Sequence, residues 1–113
     1  MKKHFYILLC FIFTTAYASA DNKETKVVEI FGTILDSVTS KPIQSASIKI
    51  FLDNIKAKPL FLVSDSKGAF KTRLISDREY LVEISYIGMR PLKFKIKVKR
   101  DNLNLGELYL HEE

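Results

Sequence analysis

At 113 residues with a net charge of +5 and one cysteine, the chain has material for a single domain and no internal disulfide. Eighteen Lys and Arg against thirteen Asp and Glu make a mild basic excess, which favours solubility and does not by itself point to nucleic acid.

The chain opens with a basic head, Lys2 and Lys3, then an apolar run over residues 5–13. Ala18-Ser19-Ala20 follows, with small residues at the two positions a signal peptidase reads. This predicts a cleavable signal peptide over residues 1–20 and export, to the periplasm, the outer membrane or beyond. About nine strongly apolar residues fall short of the ~20 a spanning helix requires, so no membrane span is expected after cleavage. Cys10 lies inside the run behind Leu8 and Leu9, with no small residue before it, which argues against a lipid anchor. The chain beyond residue 20 has no cysteine and therefore no thiolate chemistry.

Residues 21–26 are polar and charged and read as a flexible leader to one domain over residues 27–113. Residues 27–35 are rich in β-branched and aromatic side chains, with Val28, Ile30, Gly32 and Ile34 on one face; Gly32 in mid-strand predicts a bulge or a close backbone approach. Residues 36–42 collect turn formers, and Pro42 is expected to end pairing there. Next, Ala46, Ile48, Ile50 and Leu52 alternate with Ser45, Ser47 and Lys49, a period of two. A polar loop over residues 53–59 leads to a short apolar strand at residues 60–64.

Asp65-Ser66-Lys67-Gly68 has Asp first and Gly fourth, which suits a type I turn closed by a residue at positive φ, the three-residue hairpin. Beyond it Phe70, Thr72 and Leu74 face one way, and after residues 76–79 so do Tyr80, Val82, Ile84 and Tyr86, opposite Leu81, Glu83 and Ser85; a meander is expected. Gly88 and Pro91 break the chain. Leu92, Phe94, Ile96 and Val98 then alternate with Lys93, Lys95, Lys97 and Lys99, the sharpest two-faced strand in the sequence. A turn at residues 101–104 precedes a last strand in which Leu108 and Leu110 face inward. Seven short strands without a helical pattern predict an all-β antiparallel sandwich.

Little in this chain can carry catalysis. Beyond the leader His111 is the one histidine, so a Ser/His/Asp triad, a Cys/His pair and a closed zinc site all lack members. Asp36, Asp53, Asp65 and Asp77 all fall in turns, where aspartate caps the local backbone. Calcium on Asp65 with Asp36 is the sharper alternative, without an EF-hand spacing behind it. No cofactor or metal is expected. The stripe Lys93, Lys95, Lys97 and Lys99 has two readings, protection of a strand edge from aggregation or a docking face for something anionic. Phe31, Phe51, Phe61 and Tyr109 fall on the outward phase of their strands and are expected to be core or rim residues, as at sandwich edges; two or three of them exposed together would mark an interface or sugar platform.

Several strings now occur in a telling order: Phe31-Gly32-Thr33-Ile34-Leu35-Asp36, Lys41-Pro42-Ile43, Ser45-Ala46-Ser47-Ile48, Ser64-Asp65-Ser66-Lys67-Gly68-Ala69-Phe70, and Tyr80-Leu81-Val82-Glu83-Ile84-Ser85-Tyr86-Ile87-Gly88. Together they resemble the carboxypeptidase regulatory-like domain. Ser40 and Ser45 stand where the family pattern has glycines, Ser64 where it has threonine, and Met89 where it has an aromatic residue. The resemblance implies a transthyretin-like, seven-stranded Greek-key sandwich of the kind found beside metallocarboxypeptidase catalytic domains and at the N-terminus of TonB-dependent receptors, where it carries no chemistry. The tail Leu110-His111-Glu112-Glu113 is unlike that of the hydroxyisourate hydrolases of the same fold. The expectation is a non-enzymatic envelope accessory or interaction module with a protein partner. The alternative is a module for carbohydrate or anionic glycan, including lipopolysaccharide; nucleic acid is not expected.

Overall fold

The computed structural model describes residues 25–52 and 58–113; the expected signal peptide, most of the leader and residues 53–57 of the polar loop, Asp53 included, lie outside the described residues. Seven strands form: β1 (Val27–Asp36), β2 (Ser47–Leu52), β3 (Leu60–Val63), β4 (Ala69–Ile75), β5 (Arg78–Ser85), β6 (Leu92–Val98) and β7 (Leu103–Leu110). They make a sandwich of a three-stranded sheet in the order β4-β1-β7 and a four-stranded sheet in the order β3-β2-β5-β6.

Period-two alternation sets the burial. Ile30, Ile34, Ile48, Val82, Ile84 and Val98 are fully enclosed between the sheets, with Leu110 closing the core from β7. Burying such a side chain contributes roughly 1.5–3 kcal/mol each. Tyr86, expected inside, follows the end of β5 and is exposed at a turn. There Met89 N–H donates to the Tyr86 carbonyl at 3.0 Å and Gly88 takes a positive φ, leaving Ile87 at the tip.

The expected meander does not form. The turn at residues 65–68 has the anticipated chemistry: Gly68 N–H donates to the Asp65 carbonyl at 2.9 Å, and Gly68 has φ +75°. Yet β3 pairs with β2 while β4 pairs with β1, so this turn passes from one sheet to the other. The turn before β5, with Asp77 at φ +63°, crosses back. Tight turns fix a reversal of direction but not the partner of the strand that follows. Crossing lets β4 contribute Phe70 and Leu74 to the core enclosed by the two sheets. Tyr80 fastens this second corner, since its hydroxyl accepts from Ile75 N–H and donates to the Ile75 carbonyl, both at 3.1 Å.

One pair departs from an antiparallel sandwich: β1 and β7 run parallel. Their register slips between Phe31 and Thr33, where β7 has one residue more. Gly32 sits at that slip, and a Cβ there would press to 3.0 Å of the Phe70 ring and 3.3 Å of Leu105. Both readings of Gly32 therefore hold. Pro42 differs from expectation, for it bridges Leu35. The bonds around it use its neighbours, Asp36 N–H to the Lys41 carbonyl and Ile43 N–H to the Ile34 carbonyl, each at 2.9 Å, so the missing proline N–H is not required.

Ser40 and Ser45, the two serines in place of family glycines, both adopt positive φ, 60° and 65°. A left-handed conformation is costly for any residue with a Cβ. Ser40→Gly and Ser45→Gly are each expected to raise stability by about 0.5–1 kcal/mol, read as a melting temperature a few degrees higher. A lower melting temperature for both would contradict this account of the two loops.

Candidate functional site

The strings shared with the family gather mainly at one end of the sandwich, and their side chains are occupied with holding it. Ser64 is buried: its Oγ accepts from Ala46 N–H at 2.9 Å and donates to the Ile43 carbonyl at 2.6 Å. Asp65 Oδ1 accepts from Lys67 and Ala69 N–H, both at 2.9 Å, and Asp36 Oδ1 accepts from Val38 N–H at 2.8 Å. These are the turn caps that aspartate supplies. Asp77, in the opposite end, receives Arg100 Nε at 3.1 Å. Among the described residues no group of three or more His, Cys, Asp or Glu side chains could hold a metal ion. His111 lines a small open hollow with Arg90, Pro91, Leu92 and Tyr109, and its carbonyl accepts from Arg90 N–H at 2.8 Å. This clamp of the chain end on residues 88–90 is structural.

The exposed chemistry lies on the outer face of the four-stranded sheet. Lys93, Lys95 and Lys97 project from β6, an edge strand, and Lys99 follows just past its end; all four are exposed. Register brings further charges alongside. Glu79 stands opposite Lys97, and Glu83 stands opposite both Lys93 and, on its other side, Lys49. Lysine periodicity is legible in the sequence; the interleaved glutamates are not, because only the pairing of β5 with β6 sets them there. Exposed opposed charges contribute about 0–1 kcal/mol each to stability, so their main effect is on the field. Lys49, Lys93, Lys95 and Lys97 against Glu79 and Glu83 leave this face basic.

Towards β3 the same face becomes apolar. Leu81 pairs with Phe51 on one side and Lys95 on the other, and Phe61 stands opposite Lys49. Phe61 and Val63 are each 58% exposed, while Phe51 is half-buried. The four outward aromatics therefore divide: Phe51 and Phe61 share this sheet, and Phe31 and Tyr109 lie on the other. Tyr109 donates to Glu107 Oε1 at 3.2 Å, and that bond with the carboxylate charge holds its pKa above the ordinary tyrosine value. Val63 also borders an open groove of about 600 Å³, with Phe31, Gly32, Phe70 and Lys71 among its lining.

Comparison with known proteins matches residues 30–113 to one family, the CarboxypepD_reg-like domain. No curated protein matches the chain in sequence. Among solved structures the Bacillus anthracis TIE protein superposes with a TM-score of 0.63 at 16% identity, over 77% of this chain and 17% of that one. The 3-chlorocatechol 1,2-dioxygenase of Rhodococcus opacus 1CP gives 0.61 at 9% identity, over 82% of this chain and 62% of its own. Chlorocatechol 1,2-dioxygenase from Pseudomonas putida gives 0.63 at 13%, over 81% and 63%. The chain thus spans less than two thirds of each, and at these identities the likeness is one of fold alone.

Proposed function

The chain belongs to the CarboxypepD_reg-like domain family, and from that membership we propose that it is a non-enzymatic interaction module of the cell envelope, docking an acidic surface of a partner protein on the lysine face of β6. The observation that carries this reading is the exposure of Lys93, Lys95 and Lys97 together on the outer face of an edge strand. The lysines give this face a field that attracts acidic partners. Export, expected from residues 1–20, supports a site of action in the periplasm, at the outer membrane or beyond it. The turn carboxylates of Asp36 and Asp65 already cap backbone amides, which supports a binding role rather than acid–base chemistry.

In-cell crosslinking of the exported chain is expected to capture one dominant envelope protein. A variant with Lys93, Lys95, Lys97 and Lys99 all changed to glutamate is expected to lose at least roughly tenfold in yield, because like charges across a docking face cost several kcal/mol. Unchanged capture by a variant with an unaltered melting temperature would defeat the reading. A second reading, binding of an anionic glycan, is favoured by Phe61 and Phe51 beside Lys49 on the same face. Retardation on acidic-polysaccharide gels, lost in Phe61→Ala, is its expected signature.

A further inference from the structure

Among the described residues, three of the four strand edges in this sandwich are protected against pairing. β6 carries Lys93, Lys95 and Lys97; β4 carries Lys71 and Arg73; β7 is bulged beside Gly106, which has φ +73°. Charges and bulges of this kind keep edges from finding partners. The fourth edge has none of them. β3 reads Leu60-Phe61-Leu62-Val63, with Leu60 39% exposed and Phe61 and Val63 58% exposed.

Its backbone is equally open. Ser64, just past β3, donates its N–H to the Ala46 carbonyl at 3.0 Å and accepts from Ser45 N–H at 2.9 Å, so its polar groups face β2. Because these directions alternate along a strand, Leu62 also faces β2, while the N–H and C=O of Phe61 and Val63 point to the open edge.

We propose that β3 is a self-association edge, on which two copies of the chain pair antiparallel about a two-fold axis at Leu62 and join their four-stranded sheets into one. Side chains directly opposed in a ladder share a face, which restricts the axis to a residue position. With the axis at Leu62, Phe61 opposes the partner's Val63 twice, and the outward-pointing amides of both residues are satisfied. An axis at Phe61 would set Val63 against the partner's Pro59, which has no N–H. An axis at Val63 would need Asp65 N–H, already donated to the Ala69 carbonyl at 2.9 Å.

Charge at the flanks favours a second copy over an unrelated strand. Exposed Lys58 precedes the apolar segment and exposed Asp65 follows it, so antiparallel pairing brings Lys58 near the partner's Asp65 at both ends. A four-residue contact is small, which implies an association in roughly the micromolar range or weaker. Pairing through β3 leaves β6 at both far edges of the joined sheet, with the two lysine stripes on its one outer face.

The test uses the full chain carrying Cys10→Ser, so that each introduced thiol is the only one. Leu62→Cys meets itself across the axis at about 4.5 Å between Cα atoms, within the range for a disulfide. Phe61→Cys or Val63→Cys alone lies more than about 7 Å from its own copy, whereas a mixture of the two pairs directly. Disulfide dimers are therefore expected from Leu62→Cys and from the 61/63 mixture, and not from either of the latter alone. Val63→Lys, in the otherwise unaltered chain, should weaken dimerisation at least tenfold in sedimentation. Equal crosslinking at positions 61, 62 and 63, or no dimer from Leu62→Cys and none from the mixture, would overturn the proposal. So would a chain that stays monomeric while Leu62→Cys links to another envelope protein.

Discussion

Replacing Gly68 with alanine is expected to destabilise the domain by about 3–4 kcal/mol, the larger part from overpacking and the rest from a left-handed backbone. Gly68 has φ +75°, and a methyl group there would overlap the Ile34 carbonyl oxygen, with the Pro42 side chain 3.1 Å away. Ile34 N–H donates to the Gly68 carbonyl at 2.7 Å and its own carbonyl accepts from Ile43, so the turn cannot retreat without unpicking two loops from β1. For a domain of this size the melting temperature should fall by on the order of 15 °C. Gly88 and Gly106 provide the control. Both have positive φ, 79° and 73°, but nothing lies within 4 Å of an added Cβ, so each alanine substitution should cost only about 1–2 kcal/mol. Equal losses at Gly68 and Gly88 would mean that the close contact with β1 is not what makes Gly68 necessary.

Ser64→Ala is expected to cost about 2–6 kcal/mol, because it leaves the Ala46 N–H and the Ile43 carbonyl without the hydroxyl that joins them, at roughly 1–3 kcal/mol for each buried unpaired group. Ser64 is 3% exposed, which leaves little room for water to substitute. Ser64→Thr keeps the hydroxyl and has the residue type of the family pattern, so it should stay within about 1 kcal/mol of the parent. A denaturant titration of the three proteins decides the matter: a shift of the Ala variant no larger than that of the Thr variant would show that the bridge contributes little.

These two positions also show which parts of the fold can be read in the sequence. Burial along β1, β2 and β6 follows from alternation alone, since a period of two leaves each side chain one choice of face. The turn at Asp65 and Gly68 was equally legible, because cap and positive φ are local properties. Partner choice is not local. The chain from Asp65 to Gly68 says nothing about whether β4 joins β3 or β1, and that decision rests on how Phe70 and Leu74 join the core enclosed by the two sheets. The parallel β1–β7 pair, whose members lie at opposite ends of the domain, left no local trace either. At the candidate site the lysine stripe was visible for the same reason as the strand that bears it. The placement of Glu79 and Glu83 among the lysines and the exposed edge at Phe61 and Val63 depend on neighbours distant in sequence, whereas the caps of Asp36 and Asp65 are local and were legible with their turns.

The most direct test of the docking face is a photo-crosslinking amino acid placed in turn at Lys95, on the outer face of the four-stranded sheet, and at exposed Lys71 on the other sheet, in the exported chain within cells. Position 95 is expected to yield one strong adduct with an envelope protein, abolished when Lys93, Lys97 and Lys99 are changed to glutamate, while position 71 yields little. A strong adduct at position 71 and none at position 95 would move the interaction to the opposite sheet and contradict the assignment of β6 as the docking strand.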